Sequence, residues 1–109
     1  MDNELDVYDD QLSLELAGGN EDLAHQMLDM LRNELPELRS SMNAAWNEGD
    51  EAAMYDKVHK INGSTRYCGV PAIGHAAHQL ETMIKNKESD LDDALQHLNM
   101  EIDRLLSKP

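Results

Sequence analysis

The sequence predicts an all-α fold: an antiparallel four-helix bundle with a short extra N-terminal helix. Apolar residues recur at spacings of three and four along most of the chain, the repeat of a helix with one buried face. Aromatic residues make up 4% of the chain and Phe is absent, so Leu, Met, Ile and Ala must fill the core, which favours helices over sheets. A chain of 109 residues suits one domain. We assign residues 1–8 to a flexible N-terminal segment and residues 9–109 to the bundle.

The first predicted helix is short. Within residues 9–17, Leu12 and Leu16 stand one turn apart, and the pair Gly18-Gly19 ends the segment. We expect this helix to cover one end of the bundle.

The second predicted helix is long and covers residues 20–47. Asn20 is a favourable N-cap residue, and the acidic residues after it suit the positive end of a helix dipole. Pro36 interrupts the run, so we expect either one bent helix or two abutting helices. The predicted buried face consists of Leu23, Met27, Met30, Leu31, Leu35, Leu38, Met42 and Ala45.

The third predicted helix covers residues 51–67, after Gly49 ends its predecessor and Asp50 caps it. Its buried face consists of Met54, Val58, Ile61 and Thr65.

Two further helices complete the predicted bundle. Gly69 resembles a C-terminal glycine stop, and Pro71 suits the first turn of the fourth helix. A turn over residues 86–90 follows, with Ser89 or Asp90 as the cap of the fifth helix. The buried faces are Ile73, Ala77, Leu80 and Ile84 in the fourth helix, and Leu91, Leu95, Leu98, Ile102 and Leu105 in the fifth.

Composition excludes several functions. The net charge of −13 argues against DNA, RNA and anionic membranes as partners. Cys68 is the single cysteine, so no intrachain disulfide can form. No apolar run approaches the ~20 residues that span a bilayer, and no basic-then-apolar segment at the start of the sequence suggests a signal peptide. We expect a cytoplasmic domain, either by itself or as the cytosolic part of a membrane-bound protein.

One histidine stands out. His59 follows the buried Val58 by one position, so it lies about 100° round the helix and faces water. Gly63 lies one turn along on the same face, although glycine inside a helix costs ~1 kcal/mol relative to alanine. The chain has 22 acidic residues, yet residues 57–80 contain none where an even spread would place about five. This pattern indicates a site that handles an anion and that another molecule approaches closely.

The segment His59-Lys60-Ile61-Asn62-Gly63-Ser64 resembles the core motif of the histidine-containing phosphotransfer (HPt) domains of bacterial multistep phosphorelays. Further segments match in order over nearly the whole chain: residues 16–23, 35–38, 49–50 and 80–81. Residues 67–71 are most similar to the C-terminal HPt modules of GacS/BarA-type hybrid sensor kinases.

The resemblance implies a phosphorelay intermediate. His59 would accept a phosphoryl group from an aspartate of one response-regulator receiver domain and pass it to another. The resemblance implies no cofactor in this chain, because Mg²⁺ belongs to the receiver, and no kinase activity of its own. We expect the isolated domain to be a monomer.

Helix geometry and the family pattern together predict which residues lie near His59. Gly63 leaves room for the phosphoryl group, and Lys60 and Arg66 could offset its charge. Many family members carry lysine where this chain has Asn62, which we expect to face solvent and to donate a hydrogen bond without charge. From the next helix, either Gln79 or His78 could reach the site. The residues expected to dock the partner are Tyr55, Asp56, Gly63 and Ser64.

Two alternatives remain open from the sequence. A helical docking module could bind receivers without carrying phosphate. A metal-binding bundle could use Asp56 and His59, or His75, His78 and Glu81, although the Glu-x-x-His pairs of di-metal bundles are absent.

Overall fold

A computed structural model describes residues 5–107, and this part of the chain contains five helices and no strand. The helices are α1 (Asp10–Leu16), α2 (Glu21–Asn47), α3 (Glu51–Thr65), α4 (Pro71–Lys85) and α5 (Asp92–Leu106). Short connections make consecutive helices from α2 to α5 antiparallel, and α5 packs back on α2 to close the bundle. The predicted fold class is confirmed.

The apolar faces of α3, α4 and α5 form one core with that of α2. Each fully buried Leu, Ile or Met side chain contributes about 1.5–3 kcal/mol relative to exposure. Every predicted stripe residue of α4 and α5 is buried. The largest fully buried side chains are Leu35, Met42, Met54, Ile61, Ile73, Leu80, Leu91, Leu98, Ile102 and Leu105.

The long helix α2 runs without interruption through Pro36, so the single-helix alternative is the correct one. The Asn20 side chain caps it as predicted and accepts a hydrogen bond from the Leu23 backbone N–H at 3.1 Å. The predicted buried face was too wide, because Leu23 and Met30 are 40% and 62% exposed. No helix within residues 5–107 has the length and apolar character that crossing a membrane requires.

Helix α1 buries Ser13, and its C-cap Ala17 is buried as well, whereas Leu16 of the predicted Leu12–Leu16 pair is 43% exposed. The reason is that α1 lies across the α3–α4 connection with its small residues inward. Contacts with the bundle begin before residue 9, the predicted domain boundary, because the Ala72 backbone N–H donates to the Asp6 carbonyl at 3.1 Å.

Gly69 allows this close approach. The Asp9 backbone N–H donates to the Gly69 carbonyl at 2.7 Å, and a Cβ at residue 69 would lie 2.4 Å from the Asp9 carbonyl oxygen. Gly69 is not among the residues with positive φ. The expected helix stop is therefore corrected to a contact glycine.

Two boundaries also differ from the prediction. Helix α3 ends at Thr65 and has Arg66 as its C-cap, two residues before the predicted end. Helix α5 has Leu91 at its N-cap and no side-chain cap, so the predicted capping by Ser89 or Asp90 was wrong. The burial of Leu91 in the core fixes the start of α5 instead.

Candidate functional site

His59 is mounted on the outer side of α3. The Asp50 side chain starts this helix by accepting a hydrogen bond from the Ala53 backbone N–H at 3.1 Å. Val58 and Ile61 face the core and are fully buried. This anchoring turns His59 outward, where its side chain is 60% exposed, as the sequence predicts.

A carboxylate from α4 holds the inner nitrogen of the imidazole. Nδ1 of His59 lies 2.9 Å from Oε2 of Glu81, whose side chain is only 9% exposed. The same oxygen accepts a hydrogen bond from the Tyr55 hydroxyl at 3.3 Å. The other carboxylate oxygen accepts one from the Asn62 amide at 2.8 Å. Every donor to Glu81 in this network comes from α3.

Burial by itself would raise the pKa of the Glu81 carboxyl. Hydrogen bonds from Asn62, His59 and Tyr55, with the charge interaction of His59, outweigh burial and lower the pKa below its ordinary value. Glu81 is therefore ionised at neutral pH and can only accept hydrogen bonds. It follows that Nδ1 of His59 carries the donated proton, which leaves the lone pair of the neutral ring on Nε2.

The ring of His59 is also fixed by stacking. Its centroid lies 6.0 Å from that of Tyr55, and the two planes differ by 15°. Stacking and the Nδ1 bond together restrain both the position and the rotation of the imidazole.

An open groove of about 800 Å³ runs beside His59 between α2 and α3. A Cβ built on Gly63 would meet no heavy atom of residues 5–107 within 4 Å outside its own stretch of helix, so none of these neighbours requires glycine there. The groove is lined by Glu34, Glu37, Leu38 and Ser41 of α2, and by Lys57, His59, Lys60, Gly63, Ser64, Arg66 and Tyr67.

The two walls of the groove differ in charge. Helix α2 contributes Glu34 and Glu37, whereas the opposite wall carries Lys57, Lys60 and Arg66. The Lys60 ammonium lies 3.4 Å from the Asp56 carboxylate, one turn earlier on α3. The positive wall fits the predicted anion site. The acidic α2 wall could not be predicted from the acid-free stretch of sequence, because its carboxylates lie outside that stretch.

The comparisons with known proteins agree with this architecture. Residues 26–108 match the family described as the Hpt domain. The chain belongs to this family. As an HPt domain, it is a phosphotransfer module of two-component signalling.

Relatives of this HPt domain are sensor kinases. The chain is 39% identical over 105 residues to the sensor histidine kinase GacS of Pseudomonas protegens, covering 96% of this chain and 12% of the kinase. It is 35% identical over 101 residues to the signal transduction histidine-protein kinase BarA of Escherichia coli, covering 91% and 11%. The chain thus spans about an eighth or less of these relatives. The predicted resemblance to HPt modules of the GacS/BarA type is confirmed.

A solved structure shares the fold. The HPt domain of a hybrid histidine kinase from Shewanella superposes with a TM-score of 0.84 at 29% identity, covering 93% of this chain and 88% of that one.

The structure brings most of the predicted site residues of the HPt domain together. Those that line the groove are His59, Lys60, Gly63, Ser64 and Arg66. Ser64 also donates a hydrogen bond to Glu34 across the groove at 3.4 Å.

The other predicted site residues lie elsewhere. Asn62 is only 6% exposed and binds Glu81, so its expected solvent-facing position was wrong: it lies on the inner side of α3, beside Ile61. Gln79 is exposed and does not line the groove. Tyr55 supports the imidazole from the side away from the groove, and the exposed Asp56 pairs with Lys60.

Glu81 is the functional residue that the sequence reasoning missed as a partner of His59. The signal was present, because Glu81 follows Ala77 by four positions and precedes Ile84 by three, which puts a carboxylate on the buried face of α4. A buried carboxylate requires partners, and the opposing helix supplies them.

The histidines considered as metal ligands do not meet Glu81. His75 and His78 are exposed, whereas Glu81 is buried against α3. Within residues 5–107, no group of three His, Cys, Asp or Glu side chains is placed to hold a metal ion.

Proposed function

We propose that His59 accepts a phosphoryl group from the phosphoaspartate of a response-regulator receiver domain and passes it to the aspartate of another receiver. The observation that carries this proposal is the state of the imidazole: its Nδ1 is held by Glu81, its ring is 60% exposed, and Nε2 has no hydrogen-bond partner within residues 5–107. Nε2 is thus the nucleophile. In acceptance the P–O bond to aspartate breaks while a P–N bond to Nε2 forms, and the electron pair stays on the carboxylate.

The α2–α3 groove is the proposed docking face. The receiver must bring its aspartate within about 3–3.5 Å of Nε2 before the phosphoryl group can transfer. The space left by Gly63 admits that approach, and the positive wall with Lys60 and Arg66 favours the acidic centre of a receiver. We expect Mg²⁺ to be supplied by the receiver, with no cofactor bound by this chain.

We further propose that the chain is a phosphocarrier without kinase activity, acting within or beside a hybrid sensor kinase. A cytoplasmic location is part of this proposal, because the phosphoryl group of a relay originates from ATP. A monomeric state is also part of it, because the open face around His59 must remain accessible to the receiver.

The test is phosphotransfer from radiolabelled receivers to the wild-type chain and to His59→Gln. We expect the wild type to take up acid-labile, base-stable label and the variant to take up none while keeping the wild-type circular dichroism spectrum. A parallel reaction with labelled ATP instead of receiver should leave both proteins unlabelled.

Label on the His59→Gln variant would refute the assignment of the acceptor. A wild-type chain that binds receivers but takes up no label would instead identify a docking module.

A further inference from the structure

The acidic wall of the groove stands level with the phosphorylation site. The Ser64 hydroxyl of α3 donates to the Glu34 carboxylate of α2 at 3.4 Å, so these two residues lie opposite each other. Because α2 and α3 run antiparallel, one turn further along α2 lies opposite one turn back on α3. Glu37, which is exposed and lines the groove, therefore lies opposite Lys60, beside His59.

The opposite charges of the two walls do not neutralise each other within the domain. Lys60 pairs with Asp56 of its own helix at 3.4 Å and not with Glu37. Among residues 5–107, no ion pair crosses the groove from the carboxylates of α2 to the cations of the other wall. Both rows of charge are therefore available to a molecule that enters between them.

We propose that the acidic wall, with Glu37 level with His59, selects the receiver: the partner must present Lys or Arg towards α2 while its acidic centre faces the basic wall. Glu37 is then a specificity-determining residue. This inference rests on the proposed phosphotransfer at His59 and names the kind of receiver that it accepts.

Opposed walls of this kind fix the orientation of the partner. In one orientation, both walls of the groove meet charges of opposite sign. If the same receiver turned by half a rotation about an axis through His59, like charges would meet at both walls, which is unfavourable. A receiver with acidic residues on both edges would be rejected by Glu37, because the acidic wall then acts as a repulsive element. The charges thus favour the single orientation that brings the aspartate to Nε2.

The experiment compares the wild type with Glu37→Gln, Glu37→Lys and the matched control Asp29→Lys. Asp29 is exposed on the same helix and does not line the groove, so its replacement by Lys changes the net charge as Glu37→Lys does. The control therefore separates a local effect in the groove from the general effect of a chain with net charge −13.

The probe is the radiolabelled receiver that labels wild-type His59 fastest in a panel of receivers. Rapid-quench measurements over a range of receiver concentrations give the maximal transfer rate and the half-saturating concentration. They are made at about 0.1 M and about 1 M salt, where the screening lengths are ~10 Å and ~3 Å. Circular dichroism verifies that each variant is folded.

We expect the half-saturating concentration at the lower salt to rise about twofold in Glu37→Gln and about tenfold in Glu37→Lys. The reason is that an exposed ion pair changes a binding constant by about 1.5- to 5-fold, and a reversed charge adds repulsion. The maximal rate should stay the same, because Glu37 does not contact the imidazole. At the higher salt, both effects should shrink to less than about twofold. Asp29→Lys should not raise the half-saturating concentration at either salt.

A charge-reversal scan of the receiver identifies the partner of Glu37. Each Lys and Arg on the receiver surface around its aspartate is replaced by Glu in turn. We expect at least one of these receiver variants to bind the wild-type chain weakly and to regain binding with Glu37→Lys. A scan without any such rescue would overturn the proposal.

Equal half-saturating concentrations for the wild type and Glu37→Lys would also overturn it, as would an equal rise in Asp29→Lys, and both results would leave His59 as the acceptor. Failure of every receiver in the panel to label wild-type His59 would instead refute the proposed function on which this inference rests.

Discussion

Replacing Gly63 by Gln should separate folding from function. Gly63 lies within α3, two residues before the helix ends at Thr65, and a Cβ there meets nothing within 4 Å. Glycine in a helix interior costs ~1 kcal/mol relative to alanine, because the unfolded chain loses more conformational freedom. Since the last turn of a helix frays, we expect the variant to gain about 0.5–1 kcal/mol, which raises Tm by about 2–5 °C for a domain of this size.

Phosphotransfer should fall in the same variant. Side chains four residues apart on a helix stand ~5–6 Å apart at Cβ, so Gln at position 63 reaches into the space beside His59. A displacement of reacting atoms by ~1 Å can cost about 100-fold in rate. We therefore expect the rate of phosphotransfer from a labelled receiver to fall at least 100-fold, measured by rapid quench at saturating receiver.

Gly63→Ala is the matched control. It should gain the same stability in a thermal melt, yet lose less of the transfer rate, because a methyl group fills less of the groove. A lower Tm in either variant, or wild-type transfer by Gly63→Gln, would refute the argument that this glycine exists for the approach of a partner.

Two further predictions concern stability. Gly69→Ala should lower the free energy of unfolding by about 1–3 kcal/mol or more, because the new Cβ would lie 2.4 Å from the Asp9 carbonyl oxygen. Urea titrations measure this change, and a stability equal to that of Gly63→Ala would contradict the close contact. Glu81 should make the fold acid-sensitive: its lowered pKa stabilises the folded state above the unfolded pKa, and this contribution is lost as pH falls from about 5 through the folded pKa. Urea titrations of Glu81→Gln between pH 6 and pH 3 should show a weaker loss of stability, and equal slopes would exclude this role.

The position of His59 could be predicted because local geometry decides it. Val58 and Ile61 must face the core, and a rotation of 100° per residue then turns His59 outward. The same argument failed for Asn62. Helical position alone places Asn62 on the inner edge of the His59 face, where its side chain could face either solvent or a buried partner. Burial is favourable only because the Glu81 carboxylate on α4 accepts its hydrogen bond.

The groove charges show the same limit. The acid-free stretch correctly marked the basic wall, but Glu34 and Glu37 come from α2, at least twenty residues earlier in the chain. The separation of residues along the sequence does not show which helices face each other across the groove. Only the packing of the helices decides that.

The sequence by itself determined the helical fold, the buried stripes of α4 and α5, the exposed histidine and its glycine neighbour, because these depend on periodicity within one helix. Tertiary structure alone decided that α4 approaches His59 through Glu81 and not through Gln79 or His78. The physical reason is the rotation of α4 about its own axis: its apolar stripe must meet the core, and the single carboxylate on that stripe is then carried against α3, where Asn62, Tyr55 and His59 satisfy it.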